Sequence, residues 1–166
     1  GGGGGSYGTA ACTADYAVTG VRSGANFANF ICTKVNADGT LNTSLTQAIN
    51  IMGGGGTGTY QAYCSAGKVA VQIRTQWYGQ GAYTDGANLQ CALPIDGTTG
   101  LETVGNVPSG NIVNYSTCAT GTVAIGVQYR VGGSVDALGI YCQKFNDYVP
   151  AVSAFTASTT TPTNGN

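Results

Sequence analysis

Apolar residues recur at every second position in short runs such as GKVAVQIR (67–74) and GTVAIGVQY (121–129), the period of a strand with one buried face. Between the runs stand Gly, Asn, Asp and Ser, the residues of turns, while Val, Thr and Tyr fill the runs themselves. The pattern predicts an all-β domain. One segment, Ser44 to Met52, has two readings, a helical turn or a further strand, because its Thr and Ile residues are β-branched.

The runs are organised by cysteine. Cys12/Cys32, Cys64/Cys91 and Cys118/Cys142 each enclose a similar sentence of two strands and a Gly-containing turn. Three residues after each first cysteine stands Asp15, Gly67 or Gly121, as a tight turn prefers. Five, seven and nine residues on come Ala17, Thr19, Val21, then Val69, Val71, Ile73, then Val123, Ile125, Val127. These predict one inward face per outgoing strand. On the returning strands Ala28 and Phe30, Ala87 and Leu89, Leu138 and Ile140 share a face with the second cysteine. Six cysteines allow many connectivities, but bridging each pair across the open end of its own hairpin is the geometrically economical one. Paired spacing repeated three times points to an oxidising, extracellular compartment and a secreted protein.

The repeat extends past the hairpins. Glycine runs at 1–5 and 53–56 precede Cys12 and Cys64, and Ser109-Gly110 holds the corresponding place before Cys118. Asp38-Gly39 and Asp96-Gly97 follow two of the second cysteines and predict turns between further strands. The units are therefore about 1–52, 53–107 and 108–150, one domain over 1–150, followed by a Ser/Thr/Pro-rich tail at 151–166. No single unit can bury its apolar face alone, so three sheets about a pseudo-threefold axis is the expected closed solution.

Composition narrows the function. A length of 166 residues suits one domain, and its 42% apolar residues suit one core. Only 8% of residues are charged and the formal net charge is −1, so the chain offers no electrostatic footprint for nucleic acid. It contains no histidine, which removes Ser-His and Cys-His nucleophile pairs and imidazole-bound metals. Glu102 is the sole glutamate, and no two carboxylates are linked in sequence as a glycosidase acid and base; a pair made by the fold, such as Asp85 with Glu102, stays open. No acidic cluster suggests calcium. The expectation is a non-catalytic protein with neither metal nor cofactor. No apolar run approaches membrane-span length, so no membrane insertion is expected, and the start reads as a processed, mature form.

The segments GGSVDALGIYC, GAYTDGANLQC and VRSGA, with the glycine runs, resemble the β-prism lectins of the jacalin-related family, including threefold griffithsin-like members. The cysteine frame, with C-x-x-G and a second cysteine six residues after Asp or Asn, is similar to vitelline membrane outer layer proteins, another β-prism family. The resemblance covers about residues 1–147 and implies a β-prism with pseudo-threefold symmetry and a glycan partner. In the jacalin-like families sugar is held by a G-x-x-x-D hairpin turn and main-chain groups of a glycine loop. Gly81 to Asp85 and Gly132 to Asp136 match that motif. The implied ligand-binding residues are Gly81, Tyr83 and Asp85, then Gly132, Gly133 and Asp136, with Gly54 and Gly55 from the second glycine run. A carboxylate accepts sugar hydroxyl protons, glycine allows close backbone approach, and Tyr83 offers a ring to the apolar face of a pyranose. In the first unit Arg22 and Asn26 stand where Gly and Asp are expected, so its site departs from the motif.

Other readings stand beside these. Asp85 and Asp136 also suit simple turn caps. Arg22, Arg74 and Arg130, the chain's only arginines, recur near the turns as ligand contacts or, preferentially, as ion pairs with a neighbouring carboxylate. Trp77 and Tyr78 fall in the longest hairpin loop, a place for selectivity or for local packing. The alternative function is a structural or adhesive subunit of an extracellular coat, layer or filament, which would self-associate.

Overall fold

The computed structural model describes residues 5–24, 27–52, 60–78, 83–105, 113–133 and 135–144. Among them are eleven strands and no helix: β1 (Ser6–Ala11), β2 (Tyr16–Gly24), β3 (Phe27–Val35), β4 (Leu41–Met52), β5 (Tyr60–Tyr63), β6 (Val69–Tyr78), β7 (Tyr83–Ala92), β8 (Glu102–Val104), β9 (Val113–Thr117), β10 (Thr122–Val131) and β11 (Val135–Lys144). Ser44 to Met52 is strand, lying inside β4, where its β-branched residues suit the pleat. All pairings are antiparallel and form three sheets, β4-β3-β2-β5, β8-β7-β6-β9 and β1-β10-β11.

Each sheet is built on one hairpin, β2–β3, β6–β7 or β10–β11, but its edge strand comes from a different unit. β5 pairs with β2, β9 with β6, and β1 with β10. The chain thus hands one strand to its neighbour at every repeat, and β1 closes the ring onto the last hairpin. Sequence units and sheets are therefore offset by one strand.

The handover is made by the first cysteines. Cys12, Cys64 and Cys118 leave the edge strand and donate their N–H groups to the carbonyls of Ile125, Thr19 and Val71, at 2.8, 2.9 and 2.8 Å. A tight turn then carries the chain into the next sheet, closed by Tyr16 N–H on Thr13, Lys68 N–H on Ser65 and Thr122 N–H on Ala119. Its third residue, Asp15, Gly67 or Gly121, takes φ of 70, 80 or 80°, the left-handed region where glycine carries no steric penalty.

Disulfides join Cys12 to Cys32, Cys64 to Cys91 and Cys118 to Cys142, the expected local pairs. Their role differs from a clasp on one hairpin. Only the second cysteine of each pair belongs to a hairpin strand, and the first lies where an edge strand ends on the adjoining sheet. Each bridge consequently staples two sheets together across a corner of the prism.

The three outgoing strands share a β-bulge. The register passes from Val18↔Cys32 to Gly20↔Ile31, from Ala70↔Cys91 to Gln72↔Gln90, and from Ala124↔Cys142 to Gly126↔Tyr141. Thr19, Val71 and Ile125 are skipped, and these are the residues whose carbonyls receive the crossing cysteines. A bulge shifts the alternation by one. Ala17, Val69 and Val123 accordingly pack in one cluster with Val35 and Ala92, while Val18, Val21, Phe30, Ile73, Leu89 and Val127 pack in a second, larger one shared by all three sheets. The nine predicted inward positions of the outgoing strands are all buried, as are Ala28, Phe30, Ala87, Leu89, Leu138 and Ile140.

Candidate functional site

Turn chemistry makes the hairpin tips unequal. In β10–β11 the register runs Arg130↔Ala137 and then Val131↔Val135, leaving Asp136 unopposed; in β6–β7 it runs Gln76↔Gly86 and then Trp77↔Thr84, leaving Asp85 unopposed. The aspartate of each G-x-x-x-D motif is thus a bulge residue, a backbone device that re-aims a side chain. The first hairpin, which lacks the motif, pairs without interruption to Gly24↔Phe27.

The third tip is the best described. Asp136 is only 7% exposed, and its carboxylate turns toward the backbone of two glycines. A methyl group built on Gly5 would stand 2.5 Å from Asp136 Oδ2 and 2.7 Å from the Val131 carbonyl; one on Gly132 would stand 3.2 Å from Oδ2. Glycine at 5 is therefore required by the Val131 backbone as well as by the carboxylate beside it. Gly133 meets nothing within 4 Å and is exposed at the turn. Gly5 is the last residue of the first glycine run, brought here because β1 closes the ring on β10. Arg130 Nε donates to the Gly5 carbonyl at 3.3 Å, holding the end of that run against the tip.

Gly54 and Gly55 are expected to join the motif glycines. They lie outside the described residues, as do Gly81 and the side chains of Tyr83 and Asp85, although the latter two have strand backbone. The run at 53–56 leads to Tyr60, which pairs with Ser23 of the first hairpin. The hairpin of Asp85 takes its own edge strand, β9, from the chain that follows Ser109-Gly110 in sequence. Periodicity records strands and turns but not which neighbour an edge strand joins. Trp77 and Tyr78 are strand residues, paired with Thr84 and Tyr83, rather than loop residues.

The three arginines are not placed alike. Arg22 and Arg74 occupy equivalent places, opposite Asn29 and Asn88, whereas Arg130 sits two residues nearer its tip, opposite Ala137. Arg130 and Arg74 lie over the rings of Tyr7 and Tyr115, 5.1 and 5.6 Å from their centroids. Cation–π stacking on the adjoining edge strand is thus what the structure describes for both.

Three further carboxylates among the described residues serve the scaffold. Glu102 accepts from Ser65 N–H and Oγ–H at 2.7 and 2.8 Å and pairs with Lys68 at 3.0 Å; the Ser65 backbone bond, above all, holds its carboxyl below the usual range. It stands opposite Cys91, six residues along β7 from Asp85, or about 20 Å at strand rise, so the two make no catalytic pair. Asp96 accepts from the Thr99 hydroxyl and the Thr99 and Thr98 N–H groups, which lowers it to about 2. Asp38 does the same for Thr40.

No protein-family model matches the chain, and no curated protein matches it in sequence. Solved structures do match its fold. The chain is similar to a prostate-specific WGA16 glycoprotein lectin (TM-score 0.51, 14% identity, covering 87% of this chain and 94% of that one). It is similar to the Malaysian banana lectin (TM-score 0.52, 18% identity, 87% and 94%) and to Calystegia sepium agglutinin (TM-score 0.50, 18% identity, 87% and 92%). The shared architecture is the β-prism.

Proposed function

We propose that this chain is a secreted, non-catalytic carbohydrate-binding protein whose principal site is the tip of the third hairpin. The observation that carries the reading is the bulged Asp136, set against Gly5 and Gly132 at a turn that also exposes Gly133. A carboxylate accepts the hydroxyl protons of a sugar, and side-chain-free turn backbone admits the ring closely enough for N–H groups to donate. Two of the β-prism neighbours are lectins by name, and three disulfides suit an extracellular protein. Gly81, Tyr83 and Asp85 form a second site of the same kind in this reading, on the strength of the matching bulge.

A glycan array followed by calorimetric titration tests the proposal. Sugar binding is expected in the native chain, weakened by Asp136→Ala and lost when Asp85→Ala is added; unchanged affinity in the double variant refutes it. A second reading, a self-associating coat or filament subunit, draws on the exposed Tyr7, Tyr63, Tyr115, Tyr141, Ile95 and Leu101. Sedimentation across concentration decides it, a strictly monomeric profile counting against.

A further inference from the structure

The outer faces of two sheets carry the same four-residue pattern. Tyr7-x-Thr9 on β1 lies across from Gln128-x-Arg130 on β10, and Tyr115-x-Thr117 on β9 lies across from Gln72-x-Arg74 on β6. In both, the tyrosine stacks on the arginine and remains largely exposed, 80% for Tyr7 and 61% for Tyr115. A guanidinium over the ring holds an otherwise mobile aromatic at a set angle before any ligand arrives.

The two faces part at the returning strand. Beside the β6–β9 patch stand Asn88 and Gln90, and Gln72 Nε2 spends itself on Thr117 Oγ1 at 2.7 Å. Beside the β1–β10 patch the same places hold Ala137 and Gly139, and the missing side-chain volume leaves an open trough of about 420 Å³. Tyr7 walls it, and Thr9 and Gln128 line it with hydroxyl and amide groups. Arg130 stands between the trough and the tip, supporting the Tyr7 ring on one side and bonding the Gly5 carbonyl on the other. From Gly5 to Thr9 is about 14 Å at strand rise, longer than one sugar ring.

We infer that this trough is an extension of the tip site and takes the following residues of a linear oligosaccharide, one pyranose stacking its apolar face on Tyr7 while Thr9 and Gln128 meet its hydroxyls. The inference rests on the carbohydrate-binding reading of the tip, and it adds that the ligand is a chain rather than a single sugar. The β6–β9 patch, where Asn88 and Gln90 stand in the places of Ala137 and Gly139, serves as the internal control.

Calorimetric titration of the full chain with methyl glycosides of mannose, glucose and galactose, and with the matching linear hexasaccharides, tests this through one ratio. For the sugar that binds, the hexasaccharide is expected to bind about tenfold more tightly than its glycoside. Tyr7→Ala, and Ala137→Gln, which fills the trough without touching the tip, should each bring that ratio to about one, with circular dichroism reporting an intact fold. Tyr115→Ala should leave the ratio as it is. A ratio near one in the native chain, or a tenfold ratio that survives Tyr7→Ala and Ala137→Gln, overturns the inference while glycoside binding still upholds the tip site. If neither form of any sugar binds, both readings fall together.

Discussion

Single positions in this chain are constrained by backbone more than by bulk. Gly67 and Gly121 would meet nothing within 4 Å if given a Cβ, so it is the left-handed φ alone that favours glycine there, as Asp15 at the first turn shows by tolerating it. Gly67→Ala and Gly121→Ala should each destabilise by about 1–2 kcal/mol in denaturant melts, a cost of conformation without any clash. Asp96 supplies a pH signature. Its folded value of about 2 lies below the ordinary 3.8, so its contribution is complete above about pH 4 and is lost as pH falls toward 2. The melting temperature should decline over that window, and Asp96→Asn should flatten part of the decline. The motif aspartates were legible from spacing. Their bulges were not, because the unopposed residue is defined only by the strand across from it.

At the scale of elements, the cysteines and the inward faces were readable because each recurs three times at nearly fixed offsets. The bulges at Thr19, Val71 and Ile125 left a trace as well: Ala17-Val18, Val69-Ala70 and Val123-Ala124 are adjacent apolar pairs that strict alternation cannot bury on one face, and both members are buried. What local pattern cannot carry is partnership between distant segments. Tyr7 and Arg130 meet across 123 positions of chain, and their stacking is visible only once β1 is placed on β10. Since each disulfide ties an edge-strand end to a neighbouring sheet, losing one should loosen a whole corner. The double variant Cys64→Ser with Cys91→Ser should lose about 3 kcal/mol in urea unfolding, and hydrogen exchange should quicken first in β5 and β7.

For the whole molecule, the three repeats are not three independent modules. A fragment of residues 53–107 carries β5, which belongs to the first hairpin's sheet, and lacks β9, which completes its own. Such a fragment is expected to give a disordered circular dichroism spectrum even when oxidised, whereas a third of a modular array would keep its strands. The feature with the widest reach is the pairing of β1 with β10. During synthesis β1 emerges long before β10 and stays unpaired until that strand has left the ribosome. Closure of the ring, and with it assembly of the Gly5–Asp136 corner, therefore waits on β10 and β11, and a nascent chain halted before residue 122 has an unmade seam by necessity.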